Sequence, residues 1–164
     1  MEYRIMEATG EDTDAVLRLY REQIGREFCF WNEEYPGPET IRFDLSRNAL
    51  FVMRDENERI VAAISIEEDE AVDQLNCWNP ALRPAGEYAR VAVTPACQKQ
   101  GLARKMVYYV LEELKRRGYR SVHIVVNRDN TAALRCYAPI GFRTAGECEL
   151  YGQHFLCYEK ELQD

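Results

Sequence analysis

Apolar and polar residues alternate well enough over residues 3–8, with only Ile5-Met6 out of step, to predict a first strand. Glu11, Asp12, Thr13 and Asp14 then supply helix-start chemistry, and Ala15, Val16, Leu19 and Tyr20 share one helical face. Pro36-Gly37-Pro38 breaks the chain before a short second helix over 39–48. The apolar runs 50–54 and 59–66, separated by Asp55-Glu56-Asn57-Glu58, predict an antiparallel hairpin. The acidic run 67–70 reads as a solvated strand end or loop, and residues 88–94 as a strand closed by Pro95. From Leu102 the apolar positions Met106, Val107, Val110, Leu111 and Leu114 recur at helical spacing. Lys115, Arg116 and Arg117 complement the negative end of that helix, and Gly118 suits the position just past it. A buried-type strand is expected over 121–126, then a short helix capped by Asn130 and running through Tyr137. Gly141-Phe142 opens a further strand, and 155–161 is the last. This order predicts an α/β fold, a mixed sheet with helices on both faces.

The 164 residues contain no repeat, low-complexity tract or Gly/Ser linker, so one domain spanning 1–164 is expected. No apolar stretch is long enough to cross a bilayer, and the N-terminal residues lack a secretory h-region, which makes the cytoplasm the expected location. The net charge of −7 argues against a nucleic-acid partner. It suits a cationic or amine substrate, and equally a protein kept soluble by acidic residues. Six cysteines lie scattered without a C-x-x-C pair, and two histidines complete the set of soft ligands, so no metal spacing appears. The cysteines read as reduced, mostly packed thiols.

Chemistry enters at Gln98-Lys99-Gln100-Gly101-Leu102-Ala103, between the apolar run Val91-Ala92-Val93 and the long amphipathic helix. The first backbone N–H groups of a helix lack internal partners and sit at the positive end of its dipole. Gly101 lets a bulky anion approach the backbone closely. A phosphate-bearing ligand is therefore expected. The Gly-Lys-Ser/Thr loop of a nucleotide phosphotransferase is absent from the sequence.

Gln98-x-x-Gly101-x-Ala103 at a strand–helix junction, followed by Asn130-x-x-Ala133 and Tyr137-x-x-x-Gly141-Phe142, resembles the Gcn5-related N-acetyltransferase (GNAT) superfamily. The match is close over 87–142, and the order of elements fits over essentially the whole chain. The resemblance implies a mostly antiparallel mixed sheet with a splayed parallel strand pair, and acetyl-CoA as acyl donor without a metal. It implies that residues 98–104 bind the diphosphate, with the N–H groups of Gln100, Gly101 and Ala103 as contacts and Lys99, Leu102 and Arg104 alongside. Val91, Ala92 and Val93 would pair their backbone with the pantetheine arm, and Asn130 would lie near it besides capping its helix. Lys99 stands where the family often has Gly, and Ala103 where it often has another.

Acyl transfer to an amine needs a base, an oxyanion donor and a proton for the leaving thiolate. Glu87, four residues before Val91, lies where some family members carry a glutamate base, acting directly or through water. Its alternative is a structural carboxylate. Tyr137 is the expected acid, since a phenol (reference pKa about 10) keeps its proton at neutral pH. Pro139 must end or bend that helix. For the acceptor, Phe30, Trp31, Glu34 and Tyr35 combine aromatic faces with a carboxylate suited to a cation. A loop whose aromatics finish the core has the same composition. Trp78 and residues 76–86 are expected to close the site from the other side. The reading is an N-acetyltransferase acting on a small-molecule or protein amine, with no membrane partner and a homodimer as its candidate assembly. The alternative is a GNAT-fold regulatory module that binds acyl-CoA without turnover.

Overall fold

The structure, a computed structural model, describes residues 2–163. Its elements are β1 (Arg4–Glu7), α1 (Thr13–Arg21), α2 (Pro38–Ser46), β2 (Leu50–Arg54), β3 (Ile60–Glu67) and α3 (Glu70–Asp73), then β4 (Ala85–Val93), α4 (Leu102–Arg116), β5 (Ser121–Asn127), α5 (Thr131–Tyr137), β6 (Arg143–Leu150) and β7 (Gln153–Glu161). Hydrogen-bonded strands follow the order β1-β2-β3-β4-β5-β7-β6, mostly antiparallel with the one parallel pair β4–β5. The expected α/β class and mixed sheet are present. Two elements differ from the sequence reading. The acidic run starts helix α3, because Asp69 accepts the N–H groups of Ala71 and Val72 at 3.0 and 3.4 Å. β4 begins at Ala85 rather than 88, because Ala85 and Gly86 pair with Ser121 and Val122 of β5.

Two compact units are distinguishable: residues up to Ile66 with Ala89–Tyr109, and Glu67–Tyr88 with the residues from Val110 on. In the first, the β2–β3 hairpin pairs Leu50 with Ser65 through to Arg54 with Ile60, and β1 lies along β2. Val16, Leu19 and Tyr20 of α1 and Ile41 of α2 are buried with Leu50, Val52, Ala63 and Ala92, the face that the helical spacing predicts. Asp12, at the start of α1, accepts the Thr9 N–H at 2.9 Å and pairs with Arg54 at 2.6 Å. Burial raises its pKa, but these two donors outweigh burial and hold the carboxyl below its ordinary value.

In the second unit β5 pairs with β7 along its whole length, and β6 closes the edge. The parallel ladder ends at Gly86↔Val122 while both strands continue. Gly86 permits a close approach there: a Cβ would stand 2.7 Å from Leu114 Cδ2 of α4. Trp78 is buried, donates to the Val72 carbonyl at 2.7 Å and stacks on His123 at 4.4 Å. It is therefore a core residue of this unit. Cys157 is buried and the other five cysteines are half-buried free thiols. Among the described residues no helix is long and apolar enough to cross a membrane.

Candidate active site

In the first unit the end of β4 leads through a 3₁₀ turn (Pro95–Cys97) into the loop ahead of α4. The Val93 carbonyl accepts both the Gln23 and the Gln98 side-chain amides, each at 3.0 Å. Arg26 donates to Gln23 Oε1 at 3.2 Å and to Gln98 Oε1. These three side chains tie the start of the loop to the strand, so the Gln98 side chain braces the turn. Tyr3 Oη donates to Gln100 Oε1 at 3.1 Å.

Lys99 (φ 64°) and Gly101 (φ 77°) both adopt left-handed backbone. Such turns converge successive N–H groups into a concavity for anions. Lys99, Gln100 and Gly101 are exposed, and nothing lies within 4 Å of the place a Cβ would take on Gly101. The Lys105 N–H returns to the Gly101 carbonyl at 3.1 Å, so by helix geometry the N–H groups of Leu102 and Ala103 precede the first turn's acceptors. A 15-residue helix adds its positive end. The loop can thus hold a dianionic group through its backbone, and Lys99 adds a positive charge to the same exposed turn. Leu102 is buried, and Ala103 and Arg104 are half-buried. Ala92 and Val93 are buried and Val91 half-buried, so their side chains serve the core.

Arg90 has left-handed backbone (φ 53°) within β4. Its guanidinium Nη2 meets both Asp44 oxygens at 3.1 and 3.0 Å, and Nη1 donates to Tyr35 Oη at 3.2 Å. The same Asp44 accepts Arg47 at 2.6 Å and Ser65 Oγ at 2.8 Å. Tyr35, part of the expected acceptor loop, is thereby anchored to a buried network. Asn32 Oδ1 accepts the N–H groups of Glu34 and Tyr35 at 2.7 and 2.9 Å, fixing the loop's backbone. Trp31 packs edge-on against Tyr20 at 5.3 Å and finishes the core, whereas Phe30 and Glu34 are exposed.

In the second unit Glu87 and Tyr88 are buried on β4. Asn130 Oδ1 accepts the Ala133 N–H at 3.1 Å and caps α5 as expected. The helix stops at Tyr137, where a 3₁₀ turn containing Pro139 takes over and Gly141 (φ 91°) turns the chain into β6. The Tyr137 ring lies edge-on to Tyr88 at 5.9 Å and to Phe142 at 6.2 Å. Tyr137 is half-buried as a residue, yet burial foremost, with Cys136 beside it, pushes its phenol well above the ordinary range, while Tyr88 acts in the opposite sense. Burial, then Tyr137, likewise pushes Tyr88 well up. Both phenols hold their protons at neutral pH. Tyr151, at the tip of the β6–β7 hairpin, donates to Asp69 at 2.8 Å. That bond, then burial and the carboxylates of Asp69, Glu87 and Glu67, push its phenol up to about 12.

Of the residues singled out in the sequence, the loop, the β4 valines and the 30–35 segment belong to the first unit, and Glu87, Asn130 and Tyr137 to the second. The structure adds Gln23, Arg26, Arg90, Tyr88 and Tyr151. Of these, only Tyr151-Gly152 carries a local signal, a turn pair between two strands.

Comparison with known proteins identifies the family. The sequence profile described as Acetyltransferase (GNAT) family matches residues 13–142. The ribosomal protein bS18-alanine N-acetyltransferase of Escherichia coli (strain K12) is 36% identical over 139 residues, which is 82% of this chain and 78% of that protein. A mycothiol acetyltransferase of Nocardia farcinica is 39% identical over 62 residues, 38% of this chain and 20% of that protein. Among solved structures, a Salmonella typhimurium protein determined with its cofactor acetyl-CoA superposes with a TM-score of 0.76 at 19% identity, over 100% of this chain and 96% of that one. The chain belongs to the acetyltransferase (GNAT) family of N-acetyltransferases.

Proposed function

We propose that this N-acetyltransferase moves the acetyl group of acetyl-CoA directly to a primary amine, with Glu87 as base and Tyr137 as acid. The Tyr137 phenol carries the reading: it ends a capped helix, its ring is packed against Tyr88 and Phe142, and it holds its proton at neutral pH, ready for the departing thiolate. The donor's diphosphate is assigned to the left-handed turn at 98–101 and the N-terminus of α4, and its pantetheine arm to the backbone of Val91, Ala92 and Val93. These residues fit the cofactor chemically, since the exposed turn offers backbone donors, open space at Gly101 and one ammonium.

In the reaction the amine nitrogen attacks the thioester carbonyl and the C–N bond forms. Glu87 takes the surplus amine proton, directly or through water. The tetrahedral oxyanion collapses, the C–S bond breaks, and the thiolate leaves with the electron pair and accepts the Tyr137 proton. The products are an amide and free CoA.

The acceptor class we infer is a peptide or protein α-amine. The support is the 36% identity to an enzyme named for an alanine of a ribosomal protein, across 82% of this chain. An α-amine, with a pKa of about 8, is neutral far more often at pH 7 than a lysine amine near 10.4, so it asks less of the base. The test is incubation with acetyl-CoA and three acceptors: a peptide with free N-terminal alanine, an N-blocked lysine peptide and a small alkyl amine. Thiol release with the alanine peptide above the other two supports the assignment. Preference for the alkyl amine would overturn it, and cofactor binding without release from any acceptor would point to a sensing module.

A further inference from the structure

We propose that Tyr88 is a positioning residue for Tyr137: its buried hydroxyl donates a hydrogen bond to the Tyr137 oxygen once that oxygen has given its proton away. The inference rests on the assignment of Tyr137 as the acid. Tyr88 is 4% exposed, and among the described residues its Oη has no hydrogen-bond partner of normal geometry. Leaving a buried hydroxyl unsatisfied incurs its full desolvation penalty, which a phenylalanine of the same shape would avoid. The hydroxyl therefore calls for a use, and its neighbourhood supplies one.

The Tyr88 ring meets Tyr137 at 5.9 Å and 85°, and Tyr137 leans on Phe142 on another side at 6.2 Å and 64°. Phe142 in turn stacks on Tyr158 at 5.8 Å. This aromatic packing holds the Tyr137 ring, but Phe142 has no proton to donate. Cys136, which also acts on both phenols, opposes a negative charge there. Tyr88 is the group acting on Tyr137 in favour of the phenolate.

The chemistry makes that bond matter at one moment. When the Tyr137 O–H bond breaks and an S–H bond forms on the departing thiolate, the oxygen keeps the electron pair in a place where water solvates it poorly. In this structure the Tyr88 hydroxyl makes no hydrogen bond to Tyr137, so the bond forms through a small adjustment of the two adjoining rings as charge develops. The contact is weak in the ground state and strong when charge develops, so it lowers the barrier rather than tightening cofactor binding. The phenolate regains its proton from solvent after CoA leaves.

Tyr88→Phe is expected to lower kcat by about 10- to 100-fold, the range for a hydrogen bond to a charged group, with KM for acetyl-CoA changed by less than about twofold. In the Tyr137→Phe background the same change should cost nothing further. An acceptor-independent measurement uses 3,5-difluorotyrosine placed at 137, whose phenol titrates in a range the fold withstands. Its fluorine resonance should show a higher midpoint in Tyr88→Phe than in the parent. Tyr137→Phe at the parent rate would overturn the acid assignment beneath the inference. A slow Tyr137→Phe beside a Tyr88→Phe of unchanged rate and unchanged midpoint would overturn the role of Tyr88 alone. Tyr88→Leu separates packing from hydrogen bonding: loss in Tyr88→Leu with none in Tyr88→Phe would also overturn it.

Discussion

Replacing Arg90 with methionine should remove one of two guanidinium countercharges of a carboxylate that has no access to water. Asp44 is 0% exposed and Arg90 8%. The substitution deletes two guanidinium contacts to Asp44, at 3.1 and 3.0 Å, and one to Tyr35 at 3.2 Å, while keeping much of the side-chain volume. Breaking a buried ion pair by removing one partner costs about 3–5 kcal/mol, because the other charge stays buried. Here Arg47 at 2.6 Å and Ser65 at 2.8 Å still serve Asp44, which puts the expected loss near the lower end, about 3 kcal/mol. For a chain of this size that corresponds to a fall in Tm of roughly 6–12 °C. Urea unfolding followed by circular dichroism measures the free energy, and calorimetry the Tm. Arg90→Lys, which keeps the charge without the planar fork, should fall between the two. A loss below about 1 kcal/mol for Arg90→Met would refute the reasoning, since it would mean that Arg47 and Ser65 alone satisfy Asp44.

Gly101→Ala should destabilise by about 1–2 kcal/mol through backbone strain alone, because φ is +77° and the Cβ meets nothing within 4 Å. Calorimetry should also show weaker acetyl-CoA binding, and unchanged stability would mean the turn is not left-handed. Gly86→Ala brings a Cβ to 2.7 Å from the buried Leu114 and should cost about 1–3 kcal/mol in chemical denaturation. A neutral result would show that Leu114 repacks freely. His123 is buried against Trp78, and burial lowers its pKa while Asp73 and Glu159 raise it and Arg83 lowers it. The unfolded chain therefore binds this proton more readily, so stability should be full above about pH 6.5 and fall as pH drops below it. His123→Phe should flatten that part of the stability–pH curve; an identical curve would assign the slope to other groups.

Local pattern made most of the elements legible. The helical spacing from Leu102 to Leu114 and the apolar run at 121–126 appear as α4 and β5 because each buries the residues its period aligns. Helix α3 was hidden because Glu67-Glu68-Asp69-Glu70 looks merely solvated, and one Asp69 cap decides its structure. The start of β4 was hidden because glycine and glutamate are poor strand formers, and only pairing with β5, distant in sequence, overrides that preference. The same limit applies at the site. Gly101, Asn130 and Tyr137 stand out as candidates through the spacing that resembles the family. Gln23 reaches the Val93 carbonyl, and Arg26 the Gln98 side chain, across separations no local pattern encodes. Arg90, a charged residue in an apolar strand, reads as outward-facing, yet its left-handed backbone accompanies a side chain buried against Asp44. Tyr88 reads as an ordinary strand aromatic, and its buried hydroxyl is visible only in three dimensions.

The most direct measurement is transfer itself: the purified protein with acetyl-CoA and a peptide bearing a free N-terminal alanine, followed by thiol release and by the mass of the peptide. The predicted result is one acetyl group gained on the α-amine for each thiol freed, at a rate that Tyr137→Phe lowers while leaving cofactor affinity intact. Acetyl-CoA bound but never discharged to the alanine peptide, the lysine peptide or the alkyl amine would contradict direct transfer to an amine.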